Sequence, residues 1–254
     1  MTLNPDIVTA AVLVIGDEIL SGRTKDRNIG YIADYLTAIG IDLKEVRIVC
    51  DDAPAIVEAI NTLRSRYTYV FTTGGIGPTH DDITADCVAE AFGVALEFHP
   101  EAVAILKERL AKTGGELNEA RLRMARIPRG ASLVINKVSG APGFWMGNVI
   151  TMAGIPAVMQ TMLDEAAPKL KTGTKLLSET IRADAKEGDV GTPLGAIARA
   201  HPEAIIGSYP FIDEKNGPNT NIVVRSRDAE QLAVVKSEVE AMLAKVKSQL
   251  SAVR

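Results

Sequence analysis

Apolar and polar residues follow one another along the first half of the chain with the periods of strands and helices. Residues 8–15 (VTAAVLVI) form a continuous apolar run, which is typical of a strand buried on both faces. Residues 28–39 repeat apolar positions with helical spacing and stop before Gly40, a residue type that commonly ends helices. The same patterns predict strands over 41–50 and 67–73 and helices over 53–65 and 84–92. This order predicts an α/β fold with three layers, a mostly parallel sheet flanked by helices.

The pattern changes near residue 170. Before it we expect helices over 99–112, 118–125 and 156–167 and strands over 131–138 and 143–153. A polar stretch, KLKTGTK at 169–175, then separates these from a shorter series of elements. That series predicts strands over 176–183, 204–209 and 220–226 and helices over 189–200 and 229–250. The sequence thus predicts an α/β domain over 1–171 and a small α+β domain, β-α-β-β-α, over 172–254.

The composition excludes several classes of protein. Apolar residues make up 46% of the 254 residues, yet no apolar run approaches the ~18–20 residues of a membrane-spanning helix. The N-terminus, MTLNPDIV, lacks the basic segment and apolar core of a secretory signal. The two cysteines, Cys50 and Cys87, are too few for a disulfide scaffold and lie in predicted apolar elements. We therefore expect a cytoplasmic protein without membrane contact.

The charge distribution argues against nucleic acid as a partner. The net charge is −4, and the acidic excess lies entirely in residues 1–171. No basic face is available to neutralise a phosphate backbone. An acidic site for a phosphorylated ligand would instead favour a divalent cation such as Mg²⁺ as a cofactor.

The segment 72–84, TTGGIGPTHDDIT, is the most informative part of the sequence. It joins a buried strand to a helix, where glycines allow a tight turn and exposed amides can cradle a phosphate. Two adjacent carboxylates at its rim, Asp81 and Asp82, could hold a hard cation. The candidate phosphate-binding residues are Thr73, Gly74, Gly75, Gly77, Pro78 and Thr79. The alternative is an ordinary turn in which Asp82 or Thr84 caps the helix.

A second polar loop follows the first strand. Ligands of open parallel sheets lie beyond the carboxyl ends of the strands, so this loop and the glycine-rich loop can share one cleft. Asp17, Glu18 and Asp26 would add carboxylates, although Glu18 and Asp26 could equally form a solvated rim. Asn28 could cap the following helix or present its amide to a ligand. The turns at Gly143 and Gly154 are expected at the same sheet edge.

Histidine and cysteine chemistry has little support. Among the three histidines only His80 stands in the glycine-rich loop, where it could act as a general acid or base or be a plain loop side chain. The GxSxG element of a serine hydrolase is absent from the sequence. Neither cysteine has an adjacent cationic partner in the sequence that would activate it.

The motifs GDEILSGRTKDRN, TTGGIGPTHDDIT, APGF and AGIP together resemble the molybdopterin-binding domain of MogA, MoaB, MoeA and, most closely, the CinA family. The resemblance extends over residues 8–168. It departs from the CinA pattern at Ala153, where the family has proline, and at His80, which is often lysine there. It implies a molybdopterin-type ligand and a homo-oligomer, a dimer or a trimer.

The second domain is similar to a region of short CinA-like proteins and of the N-terminal half of FAD synthase. The stretch GSYPF at 207–211 carries this likeness. Because the chain ends at Arg254, we expect no nicotinamide-mononucleotide deamidase activity, which in CinA requires a further domain.

Three functions are compatible with these resemblances. The first is binding of a phosphorylated pterin or nucleotide by the glycine-rich loop. The alternative is an enzyme, a divalent-metal-dependent pyrophosphatase that hydrolyses ADP-ribose or FAD to AMP and a second phosphate ester. In it, Asp17, Asp81 and Asp82 would be the catalytic groups and, with Glu18, the metal ligands. In the third, residues 172–254 are a docking or oligomerisation module beside an inert first domain.

Overall fold

A computed structural model describes residues 7–215 and 217–252, with side chains described to Leu250. The chain divides between Gly173 and Thr174 into two compact units, which we describe separately. The segment MTLNPD, on which the absence of a secretory signal partly depends, lies outside the described residues. Within them, no helix is both long and apolar enough to cross a membrane.

The first unit contains eight strands and seven α-helices within its described part. The strands are β1 (Val8–Ile15), β2 (Ile41–Val49), β3 (Tyr69–Thr73), β4 (Leu96–Phe98), β5 (Arg126–Pro128), β6 (Ser132–Val134), β7 (Gly143–Met146) and β8 (Val149–Met152). The helices are α1 (Asp17–Leu20), α2 (Asn28–Ala38), α3 (Ala53–Arg66), α4 (Thr84–Phe92), α5 (Pro100–Thr113), α6 (Glu119–Leu122) and α7 (Pro156–Ala166).

The main sheet has six strands in the order β2-β1-β3-β8-β7-β6. The neighbours from β2 to β8 are parallel, and β7 runs antiparallel to both β8 and β6. Strand order reverses between β1 and β3, because β2 lies on one side of β1 and β3 on the other. This is the kind of position at which open α/β sheets bind ligands. The predicted α/β fold with a mostly parallel sheet is confirmed.

Each face of β1 packs into its own core. Ala11, Leu13 and Ile15 join the core beneath α3, α4 and α5, whereas Val12 and Val14 join the core beneath α2 and α7. The continuous apolar run of β1 follows from this double burial.

The structure departs from the expected elements where strands are short. Residues 143–153, predicted as one strand, form the hairpin β7–β8, which turns at Gly147 with a φ of 58°. The strand expected over 131–138 is limited to β6. The paired strands β4 and β5, of three residues each, and the four-residue helix α1 were not expected, because elements of this length show no hydrophobic period.

The second unit is a three-stranded antiparallel sheet with two helices. Its elements are β9 (Leu177–Arg182), α8 (Glu187–Ala200), β10 (Ile205–Asp213), β11 (Gly217–Ser226) and α9 (Ala229–Ala252). The strand order is β10-β11-β9, and the core forms where Ile222 and Val224 of β11 meet Val235 and Val239 of α9. The expected smaller α+β unit is thus present.

Candidate functional site

The loops that follow β1, β3 and β8 meet at one edge of the main sheet. A Cβ atom on Gly74, directly after β3, would lie 2.1 Å from the carbonyl oxygen of Ile15 at the end of β1. A Cβ on Gly154, after β8, would lie 3.4 Å from the Cα of Gly74. These approaches require glycine at position 74, whose φ is +101°. The expected convergence of the strand ends is therefore present.

Asp82 stabilises the glycine-rich loop from within. Its Oδ1 accepts a hydrogen bond from the Gly77 N–H at 2.6 Å, and its Oδ2 accepts from the Thr79 N–H at 2.8 Å. The Thr79 hydroxyl also donates to Oδ2 at 2.5 Å. Helix α4 begins after Ile83 without a side-chain cap. The helix-capping alternative for Asp82 is wrong, because its carboxylate bonds the loop that precedes it.

Thr84 holds the start of this loop. Its hydroxyl donates to the Gly74 carbonyl at 3.0 Å, and its N–H donates to the Gly75 carbonyl at 3.0 Å. The capping alternative for Thr84 is therefore also wrong. Gly75 has a φ of +65°, and a Cβ there would lie 2.1 Å from the Thr84 hydroxyl.

Two consecutive amides of the loop remain unused. Within the described part of the chain, the N–H groups of Gly75 and Ile76 donate to no acceptor. Both residues line a cavity of about 540 Å³ together with Pro78 and Gly154. Successive free amides in a glycine turn are a typical anion-binding arrangement.

Asn28 ties the start of α2 to the loop after β8. Its Nδ2 donates to the Gly154 carbonyl at 2.8 Å, whereas the cap of α2 comes from Asp26, whose Oδ1 accepts from the N–H groups of Asn28 and Ile29. Asn28 is only 4% exposed, and its Oδ1 is buried with no hydrogen-bond partner among the described residues. Asp26 was open to two roles, a site carboxylate or part of a solvated rim, and its Oδ1 is used at the start of α2.

Asn28 and Thr73 line a second cavity, of about 400 Å³, next to the first. The Thr73 hydroxyl is likewise buried without a partner in the described chain. Arg23 and Lys25, which the sequence analysis did not select, line the same cavity. The two cavities share Glu18, Thr24, Gly154 and Pro156 as lining residues, so they adjoin each other. We call the two together the β1–β3 cleft.

The remaining predicted carboxylates lie on the outer side of this cleft. Asp17, Glu18 and Asp81 line an open hollow of about 800 Å³ together with Asp51 and His80. Asp51 accepts a hydrogen bond from the Asp17 N–H at 2.9 Å. Burial and then the negative charges of Asp17, Glu18 and Asp81 raise the pKa of Asp51. Asp51 follows β2 and was not selected from the sequence.

The predicted site residues are thus only partly brought together. Asp82 lines the β1–β3 cleft, Asp17 and Asp81 line the outer hollow, and Glu18 lines both. Among residues 7–215 and 217–252, no group of three or more His, Cys, Asp or Glu side chains is arranged to hold a metal ion. Gly143 lies within β7, where a Cβ would be 2.2 Å from the Thr151 carbonyl oxygen, so its small size serves the packing of the hairpin.

Comparisons with known proteins find a family match for each of the two units. The family model described as a probable molybdopterin binding domain matches residues 11–172. The chain belongs to the molybdopterin-binding-domain family. A second model, described as the middle domain of FAD synthase, matches residues 175–250. The resemblances inferred for both parts of the sequence are confirmed.

This chain spans different shares of the lengths of its relatives. A protein of Aeropyrum pernix is 30% identical over 94% of this chain and 92% of its own length. A CinA-like protein of Citrifermentans bemidjiense is 40% identical over 64% of this chain and 40% of its own. A probable FAD synthase of Caenorhabditis elegans is 30% identical over 94% of this chain, which spans 51% of that protein.

A solved structure supports the fold of the first unit. The crystal structure of the protein CinA with unknown function from Thermoplasma acidophilum is 32% identical and has a TM-score of 0.60. The similarity extends over 65% of this chain and 98% of the solved chain.

Proposed function

We propose that the first unit binds a phosphorylated small molecule, a pterin or a nucleotide, in the β1–β3 cleft. The observation that carries this proposal is the pair of unused N–H groups at Gly75 and Ile76, two consecutive residues that line the cavity of about 540 Å³ and offer two donors to a phosphate there. Asp82 supports the role indirectly, because it holds the loop that presents them. Apolar walls from Ile155 and Val158 leave room for a flat ring beside the phosphate.

The relatives support the same class of ligand. The matching family model names molybdopterin, and the C. elegans relative is named for FAD, a nucleotide. Both compounds are phosphorylated and carry a flat heterocycle, which suits an amide cradle beside an apolar wall. This shared chemistry is the reason that we propose a ligand class instead of one compound.

Paired ligands that differ only in their phosphate test the proposal. We expect AMP and 6-hydroxymethylpterin phosphate to raise the melting temperature of the protein, and adenosine and 6-hydroxymethylpterin to leave it nearly unchanged. At a hundredfold excess over the dissociation constant, the stabilisation should approach ~2.7 kcal/mol. If neither phosphorylated compound binds more tightly than its phosphate-free partner, the proposal is overturned.

A second candidate is hydrolysis of a pyrophosphate with a divalent cation. It is favoured by the outer hollow, where burial and then the charges of neighbouring carboxylates raise the pKa of Asp51, and where a cation would relieve the repulsion between those carboxylates. Mg²⁺ commonly binds one or two carboxylates together with substrate phosphates, so a complete protein cage is not required. One or two of Asp17, Glu18 and Asp81 would bind it together with the substrate phosphates, whereas Asp82 already accepts three hydrogen bonds within its loop.

Product analysis tests this candidate. Purified protein with Mg²⁺, Mn²⁺ or Co²⁺ should release AMP from ADP-ribose or FAD, and Asp17→Asn should reduce the rate while Asp34→Asn, an exposed carboxylate on α2, should not. No AMP with any of the three metals would leave ligand binding as the function. A homo-oligomer and a cytoplasmic location remain predictions, the first testable by sedimentation.

A further inference from the structure

Strand β2 forms one edge of the main sheet. It is nine residues long and, among the described residues, pairs with β1 alone. The Val49 carbonyl accepts from the Gly16 N–H, just beyond β1, at 3.1 Å, so the backbone groups of Val49 face β1. Because successive residues of a strand direct these groups to opposite sides, the N–H and C=O groups of Val46 and Ile48 face away from the sheet. A free edge of this kind can pair with another strand.

Features that protect a sheet edge are present only in the first part of β2. A register shift against β1 makes Lys44 an extra residue in the ladder, and a bulge with a lysine discourages pairing there. Beyond it the register is regular as far as Val49, and this segment contains no proline. Val46 and Ile48 are each 38% exposed. The second part of β2 is therefore a regular edge with two exposed apolar side chains.

The other edge strands of the described chain are less suited to pairing. β10 is also nine residues long but contains Pro210, which lies opposite Thr220 of β11. The Thr220 carbonyl accepts from the Ala183 N–H on the side of β9, so Pro210 faces the free edge of β10, where it has no N–H to donate. The edge strands β6 and β9 have three and six residues. β2 is thus the longest described edge without a proline.

Charges of opposite sign flank Val46 along β2. Glu45 precedes it and Arg47 follows it, and their side chains meet at 2.7 Å on the face of the sheet that α3 covers. A second β2, running antiparallel with its Val46 opposite this Val46, would place each Glu45 opposite the partner's Arg47. Such cross-strand neighbours have Cβ atoms about 4.5–5.5 Å apart, and opposite charges there stabilise the pairing.

The same charges disfavour the neighbouring registers. Two strands can pair only where residues with outward backbone groups meet, so the next registers differ by two residues. A shift of two in one direction places Arg47 opposite Arg47, and a shift of two in the other places Glu45 opposite Glu45. Like charges directly opposite each other destabilise a pair of strands. The charge pattern therefore selects the register with Val46 opposite Val46.

We propose that two copies of this chain associate by antiparallel pairing of their β2 strands, with the two Val46 residues on a two-fold axis. Such an axis requires a patch that is complementary to itself, which the alternation of Glu45 and Arg47 provides. The two six-stranded sheets would then join into one continuous sheet. Residues of β2 do not line the β1–β3 cleft, so this pairing is independent of the proposed function.

Sedimentation of the full chain tests the pairing. We expect the wild type to sediment as a dimer at about 50 µM and Val46→Pro as a monomer. Proline at this position removes an N–H that faces away from β1, so the far-UV circular dichroism should be unchanged. Ile212→Pro is the matched control, because Ile212 is 76% exposed and lies two residues after Pro210 on the free edge of β10. A monomeric or trimeric wild type, a folded Val46→Pro protein that stays dimeric, or an equal loss in Ile212→Pro would overturn the inference.

Disulfide cross-linking tests the register without a proline. In a Cys50→Ser background, Val46→Cys should form a linked dimer under mild oxidation, since paired residues on the axis have Cα atoms about 5.5 Å apart. Ile48→Cys is the control, because Ile48 is equally exposed but would lie ~13 Å from its own copy. Equal cross-linking at the two positions, or none at position 46, would overturn the register.

Salt tests the part that charge plays. Raising NaCl from about 0.1 M to about 1 M should weaken the dimer at least about threefold, because the side chains of Glu45 and Arg47 are partly exposed and their attraction is screened. A dimer whose dissociation constant is unchanged or lowered by salt would contradict the selection of partner by charge.

Discussion

The backbone of Gly74 lies directly against that of Ile15, so that a Cβ at position 74 would be 2.1 Å from the Ile15 carbonyl oxygen. This contact joins the carboxyl ends of β1 and β3, the two strands between which the strand order reverses. The absence of a side chain at one position therefore sets how closely the two loops of the candidate site approach each other.

Gly74→Ala is expected to destabilise the protein strongly. The new methyl group would overlap the Ile15 carbonyl and also impose an L side chain on a φ of +101°. We expect a loss of at least ~2 kcal/mol in the free energy of unfolding, measured by urea denaturation. Gly22→Ala is the control, since its φ is +73° but its Cβ would meet nothing within 4 Å. It should cost ~1 kcal/mol. Equal losses in the two variants would show that the close approach of Gly74 to Ile15 adds nothing to the destabilisation.

Asp82→Asn should loosen the glycine-rich loop. An asparagine can turn only one oxygen toward the loop donors, so the N–H of Gly77 or of Thr79 would lose its charged acceptor. We expect a loss of ~1.5–3 kcal/mol in stability and weaker binding of AMP. Asp81→Asn removes an exposed neighbouring carboxylate and should change stability by less than ~0.5 kcal/mol. An Asp82→Asn protein with unchanged stability would show that the Asp82 carboxylate does not stabilise the glycine-rich loop.

Asp51→Asn is expected to stabilise the protein at neutral pH. Burial and the charges of Asp17, Glu18 and Asp81 raise the pKa of Asp51 in the folded state above its unfolded value, so ionisation costs stability as pH rises through that range. Asparagine can still accept the Asp17 N–H and carries no charge.

Thermal melting over a pH series measures this effect. The variant should melt above the wild type near about pH 7 and lose its advantage below about pH 4, where the carboxyl is protonated. Asp34→Asn, which changes an exposed carboxylate on α2, should show no such crossover. An advantage that does not vary with pH would contradict the electrostatic origin.

Asp184→Asn should destabilise the second unit in a pH-dependent way. Hydrogen bonds from Arg182 and then from Lys247 lower the pKa of Asp184 to about 2. A carboxyl with a lowered folded-state pKa contributes stability above its unfolded pKa and loses it as pH falls through the folded value. Asp184 has a φ of 50°, which asparagine tolerates, so the substitution leaves the backbone unstrained.

Urea unfolding at several pH values tests this prediction. The variant should be less stable than the wild type near about pH 6, and the gap should close between about pH 4 and about pH 2. Glu214→Gln changes a carboxylate at an exposed turn position, and its stability difference from the wild type should not vary with pH. A gap that persists at the lowest pH would mean that the ion pairs contribute no stability.

Cys87 is expected to be unreactive in the folded protein. It is 1% exposed, and burial followed by the charges of Asp86 and Glu90 raises the pKa of its thiol to about 12. In a Cys50→Ser protein, which retains only Cys87, a disulfide reagent should react slowly near about pH 8 and promptly in urea. Rapid reaction under native conditions would show that α4 opens readily.

Local patterns predicted the main strands, most helices and the glycine-rich loop. The apolar run of β1 and the clustered glycines after β3 are visible without knowledge of their neighbours. The hairpin β7–β8 was missed, because Gly147 and Asn148 interrupt an otherwise apolar segment only briefly. The hydrogen bond from Gly77 to Asp82 spans five residues, and the spacing alone does not show whether the Asp82 carboxylate accepts from the loop before it or from the helix after it.

The candidate site could be predicted only in part. Asp51 meets Asp17 because β2 is the neighbour of β1, and nothing in the spacing of the two residues indicates that contact. Arg23 and Lys25 lie in an exposed loop whose charges look like ordinary surface residues until the cavity beside them is known.

By itself, the sequence determined which segments are buried, where the chain turns on glycine, and to which family the first unit belongs. Tertiary structure alone decided that Asp82 bonds its own loop, that the predicted carboxylates divide between a cleft and a hollow, and that the oxygens of Asn28 and Thr73 lack partners. The physical reason is that hydrophobic patterns report burial one residue at a time. Hydrogen-bond partners and cavity walls instead depend on which strands are neighbours, and that order is set by the packing of the whole unit.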